Sequence, residues 1–208
     1  MNIKVLCHSS IKIETENKTI YVDPFKIKEE LCDADIIVIT HSHYDHFSEE
    51  DILKVKKKET KIVITKDLLE KTLELGFKKE NIVVVVPDNL YSALDIEINT
   101  IPAYNTNKKF HPKENNWVGY ILNIENNKVY IAGDTDITEE NKKVECDIAL
   151  VPVGGTYTMT YEEAVSLVNI INPKLVIPIH YGDIVGNKSD GNKFKELVNK
   201  NIKVEIQI

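Results

Sequence analysis

Residues 39–48 read Ile39-Thr40-His41-Ser42-His43-Tyr44-Asp45-His46-Phe47-Ser48, and they hold three of the chain's six histidines with an aspartate between them. A single histidine at a strand end is ordinarily a satisfied core or surface residue. Three of them with a carboxylate in six positions, with no low-complexity bias around them, point to a metal. The preceding stretch Ala34-Asp35-Ile36-Ile37-Val38-Ile39 is almost continuously apolar, as in a strand covered on both faces. It delivers His41, His43, Asp45 and His46 at its C-terminal end, where α/β sheets commonly carry ligand-bearing loops.

Working outward, Ser48 followed by Glu49, Glu50 and Asp51 predicts a capped helix running to about Lys58. Upstream, Ile3 to Asp23 alternates in short β-branched runs broken at Thr15-Glu16-Asn17-Lys18, the pattern of strands joined by a tight turn. Downstream come a strand at Lys61–Thr65, a helix at Asp67–Leu75 stopped by Gly76, and a strand at Ile82–Val86 stopped by Pro87. Strands follow at Leu94–Ile101 and Trp117–Ile124, the latter turned through Glu125-Asn126-Asn127-Lys128 into Val129–Ala132. After a strand at Ile148–Val153, Thr160-Tyr161-Glu162-Glu163 reads as a capping box. Ala164, Val165, Val168 and Ile171 form the stripe of its helix, which Asn172-Pro173 ends. A buried strand Leu175–Ile179 leads to His180, and a helix near Lys193–Lys200 with a short terminal strand closes the chain.

The 208 residues suffice for one well-cored domain spanning 1–208, and no linker or repeat divides them. A net charge of -7 gives no overall drive toward nucleic acid or an anionic membrane. The N-terminus lacks signal-peptide order and no apolar run is long enough to span a bilayer, so a soluble cytoplasmic protein is expected. Cys7, Cys32 and Cys146 form no CxxC and leave one over, which argues against a disulfide framework; they read as buried small hydrophobes. All 26 basic residues are lysine, so no guanidinium fork is available to an anion.

The HxHxDH pattern after a hydrophobic strand resembles the signature of the metallo-β-lactamase superfamily. Further landmarks stand in the matching order over most of the chain: Val22-Asp23-Pro24, Ala132-Gly133-Asp134-Thr135 and Ile179-His180-Tyr181-Gly182. The resemblance implies an α+β fold, a four-layer αββα sandwich of two mixed β-sheets flanked by helices, with metals in the cleft between the sheet edges. It makes His41 and His43 ligands of one metal, Asp45, His46 and His180 ligands of a second, and Asp134 the bridge. Asp23 is implied to orient a ligand histidine, or else is a turn residue before Pro24.

One position departs from the family pattern. Many members carry a further histidine between the first motif and the Gly-Asp pair, and here that segment reads Ile101-Pro102-Ala103-Tyr104-Asn105. Tyr104 stands in its place, suited to donate to an oxyanion or simply to pack. His111, in Lys109-Phe110-His111-Pro112-Lys113, is the nearby alternative, as a metal contact, a substrate or proton-transfer group, or a plain loop histidine. His8, at the end of the first strand, is a cleft-lining candidate below these. The run Gly154-Gly155-Thr156-Tyr157-Thr158-Met159 is either an anion cradle or a connecting turn.

His43 stands where di-iron redox members carry a glutamate, and nuclease members usually carry a large inserted domain. The resemblance therefore implies a hydrolase acting on a small-molecule ester, lactone or phosphodiester, with no nucleic-acid or membrane partner. Two divalent metals, Zn2+ first and Mn2+ or Fe2+ tolerated, would activate a hydroxide, with Asp45 positioning the water and Tyr104 or His111 stabilising the oxyanion. A mononuclear iron oxygenase and a non-catalytic metal-binding or sensory module remain as alternatives, and nothing in the pattern specifies an oligomer.

Overall fold

A computed structural model describes residues 1–208. Two mixed sheets pack face to face. The first carries, in spatial and chain order, β1 (Asn2–Cys7), β2 (Ser10–Glu14), β3 (Thr19–Val22), β4 (Ala34–Val38), β5 (Lys56–Thr65) and β6 (Ile82–Val85). β1, β2 and β3 pair antiparallel, and β3 to β6 run parallel. The second sheet comprises β7 (Leu90–Ala93), β8 (Ile96–Pro102), β9 (Val118–Ile124), β10 (Asn127–Ile131), β11 (Ile148–Pro152), β12 (Leu175–Ile179) and β13 (Lys203–Val204), again in chain order. Its first four strands are antiparallel and the rest parallel. The helices are α1 (Glu49–Val55), α2 (Leu69–Glu74), α3 (Tyr161–Ile171) and α4 (Asp190–Leu197).

Strand alternation sorts the apolar residues into three layers. On β4, Ile36 and Val38 face the other sheet, where they join Ile11, Ile13, Tyr120, Leu122, Leu150 and Ile177 in the central core. Ile37 and Ile39 point the opposite way, against Ile52 and Val55 of α1 and Leu68. On the second sheet Ala149, Val151 and Val176 turn outward to Ala164, Leu167 and Val168 of α3 and Phe194 of α4. This is the expected αββα sandwich. No helix is long and apolar enough to cross a membrane.

Several boundaries differ from the sequence reading. α1 ends at Val55 rather than near Lys58, because Lys56–Lys58 already belong to β5, where Lys56 pairs with Ala34 across a bulged register. β7 is an additional strand. Its hairpin turns through Leu94 and Asp95, both at positive φ (45° and 67°), without the Asn-Gly signature such turns favour. The closing helix starts at Asp190 rather than near Lys193. The cysteines are not buried: Cys32 is exposed, and Cys7 and Cys146 are half-buried. The capping box is present as read, Thr160 accepting from the Glu163 N–H while Glu163 accepts from the Thr160 N–H at 2.8 Å.

Candidate metal centre

Loops from the C-terminal ends of β1, β3, β4, β11 and β12, with those after β8 and β10, meet at one edge of the sandwich. All six histidines of the chain stand there, and five of them are buried, with His43 half-exposed at the surface. The backbone is strained where it delivers them: His8 after β1, Asp23 after β3 and His180 after β12 all have positive φ, between 45° and 58°. Such conformations cost of order 1–3 kcal/mol each and persist only where surrounding contacts hold them. One of those contacts ties the two sheets together, the His180 N–H donating to the His8 carbonyl at 3.0 Å. Gly154 has to be glycine, since a Cβ there would collide with the His180 carbonyl.

Three ligand groups lie side by side: His41, His43 and His111; His41, His46 and Asp134; His8, Asp45 and His180. In the first, His41 Nε2 and His43 Nδ1 approach to 3.1 Å, and the His111 ring lies edge-on to both, with centroids 5.1 and 4.9 Å away. Asp134 is the hub. Its Oδ2 lies 3.1 Å from His180 Nε2, 3.2 Å from His111 Nε2 and 4.0 Å from His41 Nε2, and its Oδ1 lies 3.3 Å from His46 Nε2. Asp45 Oδ2 lies 3.3 Å from His8 Nε2, 3.6 Å from His46 Nε2 and 3.7 Å from His180 Nε2.

Outside this ring of ligand atoms, partners fix the imidazoles. The His46 Nδ1 contacts Asp23 Oδ2 at 2.7 Å, and Asp23 also accepts from the Thr40 N–H (2.8 Å) and the Thr40 hydroxyl (2.7 Å). His111 Nδ1 meets Asn105 Oδ1 at 3.1 Å, and His41 Nδ1 meets the Thr40 hydroxyl at 3.0 Å. The carboxylate behind His46 and the amide behind His111, each turning the opposite nitrogen inward, are the arrangement that supports metal-binding histidines. The inward atoms His46 Nε2, His111 Nε2, His180 Nε2 and Asp134 Oδ1 are buried yet make no hydrogen bond within the protein. Buried polar atoms are ordinarily paired, so this convergent nitrogen and oxygen set fits divalent metal.

Charges within the cluster offset one another: burial opposes charge on His46 and His180, but Asp134, joined at His46 by Asp23, pushes the imidazole of His46 well up and that of His180 up. Burial opposes charge on Asp134, but His180 and His46 hold its carboxyl well below the usual carboxylate range. Burial likewise opposes ionisation of Asp45, but the nearby His180, His8 and His46 imidazoles outweigh it and hold the carboxyl below its usual range. Burial, reinforced by His46, pushes His41 well down, leaving a neutral imidazole whose lone pair is available.

The structure thus brings together His41, His43, Asp45, His46, Asp134, His180 and His111. Tyr104 is not among them. Its hydroxyl donates to Glu140 at 2.8 Å and accepts from Lys113 at 3.3 Å, facing a separate surface groove, so the oxyanion role read for it is corrected. The 154–159 run is built as a connecting turn, the amides of Gly155, Thr156 and Met159 donating to the Met159, Gly154 and Thr135 carbonyls. His8 moves the other way: its ring lies tilted against that of His180, centroids 3.9 Å apart, wholly inside the cluster. Trp117, the sole tryptophan, went unremarked as a site residue; its ring packs against His41 (4.9 Å) and His43 (4.8 Å), and its Nε1–H donates to Asp67. Its standing alone in the composition was the one available signal.

Residues 2–180 match the family model described as the β-lactamase superfamily domain. The chain is 32% identical over 215 residues to a UPF0173 metal-dependent hydrolase of Ligilactobacillus salivarius, covering 97% of this chain and 94% of that protein. It is 30% identical over 206 residues to one from Nanoarchaeum equitans, covering 94% and 90%. Among solved structures it is similar to Igni18 of Ignicoccus hospitalis, described as a metallo hydrolase, with TM-score 0.79, 26% identity, and 98% and 93% of the two chains covered. An isothiocyanate hydrolase from Delia radicum gut bacteria, 15% identical with TM-score 0.75 and 99% and 95% covered, shares the fold.

Proposed function

Because this chain belongs to the metallo-β-lactamase superfamily, we propose that it is a metal-dependent hydrolase with a binuclear centre acting on a small-molecule ester, lactone or phosphodiester. The observation that carries the reading is the Asp134 hub, with nitrogens of His46, His111 and His180 within 3.1–3.3 Å of one carboxylate. His41, His43 and His111 would hold one metal, and Asp45, His46 and His180 the second, with Asp134 shared between them. A divalent pair supplies Lewis acidity and a water of lowered pKa, near 7 against 15.7 in bulk. Zn2+ suits this imidazole-rich set, and Mn2+ or Fe2+ are compatible with it.

The protein's own groups do the rest. Asp45 Oδ2, beside His8 Nε2, accepts and positions the proton of an attacking water. Asp23 and Asn105 hold the proton on Nδ1 of His46 and His111, keeping Nε2 as the donor atom. Trp117 seals the inner wall of the first group against solvent. A histidine in place of Tyr104 is not needed for a first site, because His111, further along the same loop between β8 and β9, brings its nitrogen beside His41 and His43.

Elemental analysis of anaerobically purified protein tests the proposal. Two zinc or manganese ions per chain are expected, and one iron per chain would replace it with the oxygenase reading. His43→Ala and Asp134→Ala are expected to abolish hydrolysis with circular dichroism unchanged. Full activity in either variant would sink the assignment.

A further inference from the structure

The cleft above the metal centre has a volume of ≈ 260 Å³ and is lined by His43, Asp45, His111 and Asp134 at its floor. Its walls are Tyr44, Phe110, Tyr157 and Ile184, contributed by four different loops. Phe110 and Tyr157 stand edge-to-face with centroids 4.6 Å apart, and Tyr44 leans on Phe25 at 6.0 Å. Phe110 is 48% exposed and Tyr44 66%, so large aromatic surfaces face solvent at the one place where a substrate would enter. Clusters of exposed apolar surface around a concave polar floor mark ligand sites.

What the walls lack is equally specific. No lysine lines the cleft, and the chain has no arginine. On the neighbouring loops Lys26 pairs with Asp183, Lys108 with Asp136 and Lys113 with Glu140, while Lys109, exposed beside Phe110, stays outside the cleft lining. In the Gly154–Met159 turn, the amides of Gly155, Thr156 and Met159 already donate to the Met159, Gly154 and Thr135 carbonyls. A phosphodiester would therefore meet two buried carboxylates, Asp45 and Asp134, with no cationic side chain in the cleft lining to hold its charge. A flat neutral group meets aromatic faces instead, which bind it by burial and ring–ring contact.

We infer that the substrate is a neutral carboxylic ester or lactone bearing a single ring or similarly flat apolar group, seated between the Phe110–Tyr157 pair and Tyr44. This rests on the hydrolase reading above and narrows it. The volume lies just below the usual range for ligand cavities, roughly 300–1,000 Å³, which suits one ring with a short chain. The reaction balances as hydrolysis: the water oxygen bonds to the carbonyl carbon, the bond from that carbon to the alkoxy or aryloxy oxygen breaks, and the departing oxygen takes up the water's second proton. A carboxylic acid and an alcohol or phenol leave.

The test uses the metal-loaded full chain with phenyl acetate, methyl acetate and bis(p-nitrophenyl) phosphate, beside binding of acetanilide, an uncleaved neutral analogue, followed by saturation-transfer NMR. With each rate divided by that of its uncatalysed hydrolysis, phenyl acetate is expected to exceed methyl acetate in kcat/KM by about 100-fold, the worth of two good aromatic contacts and the buried ring, and bis(p-nitrophenyl) phosphate, an anion despite its rings, is expected to be turned over more slowly than phenyl acetate. Phe110→Ala, at an exposed position that leaves the core intact, should raise KM for phenyl acetate about tenfold and weaken acetanilide binding by the same factor. Tyr157→Ala should do likewise. Preference for the phosphodiester, or unchanged KM and acetanilide affinity in both variants, overturns the inference while leaving the hydrolase reading in place. Tight acetanilide binding lost in the variants, with no turnover of any of the three substrates, upholds the aromatic seat and counts against the hydrolase reading.

Discussion

His111 and Tyr104 were alternative candidates beside the first group, and what stands behind each side chain separates them. Asn105 Oδ1 accepts from the His111 backbone N–H at 3.0 Å and contacts its Nδ1 at 3.1 Å, so a single amide fixes both the loop and the ring. Asn105→Ala is expected to weaken metal affinity 10–100-fold, the usual worth of such a supporting partner, read by competition with a chromophoric chelator. Tyr104 instead spends its hydroxyl on Glu140 and Lys113. Tyr104→Phe should therefore leave kcat and KM within about twofold, since a surface interaction of this kind contributes no more than roughly 1 kcal/mol to stability and none to the cleft. A hundredfold fall in kcat would restore the oxyanion role. Which residue completes a ligand set is a question of loop path, and no local pattern records that.

The elements that read most clearly were those with chemical punctuation. α3 begins at a reciprocal capping box and ends at Asn172 in the left-handed region, just before Pro173, and its stripe Ala164, Val165 and Val168 is buried as the periodicity requires. Thr160→Ala removes the side-chain acceptor for the Glu163 N–H and should cost about 1 kcal/mol, a fall in Tm of roughly 2–4 °C for a domain of this size. Calorimetry at matched metal content measures it, and an unchanged Tm would assign the start of α3 to packing alone. Where punctuation was missing, the reading slipped. The turn between β7 and β8 uses Leu94 and Asp95 rather than glycine or asparagine, and the lysine run after Val55 is compatible with a helix end and with the edge of a strand. Pairing with Ala34 across β4 decided for the strand.

Across the molecule, the centre joins the two sheets: His8, Asp23 and the 41–46 loop come from the first, and His111, Asp134 and His180 from the second. Metal bound there should stabilise the fold by mass action, by about 2.7 kcal/mol at a free concentration 100 times Kd. Chelation is accordingly expected to lower Tm by roughly 5–10 °C, and to do so without altering the far-ultraviolet spectrum at 25 °C, because the three apolar layers persist. A Tm indifferent to chelator would mean the centre is peripheral to folding. The chain's linear pattern sufficed for most of the strand and helix alternation and for the gathering of donors at residues 41–46, which depend on short-range periodicity and residue type, while the resemblance to the family set Asp23, Asp134 and His180 beside them. Tertiary structure alone decided that His111 rather than Tyr104 completes the first group, that His8 joins Asp45 and His180, and that the cleft wall is aromatic, because each depends on where separate loops return to the same edge of two packed sheets.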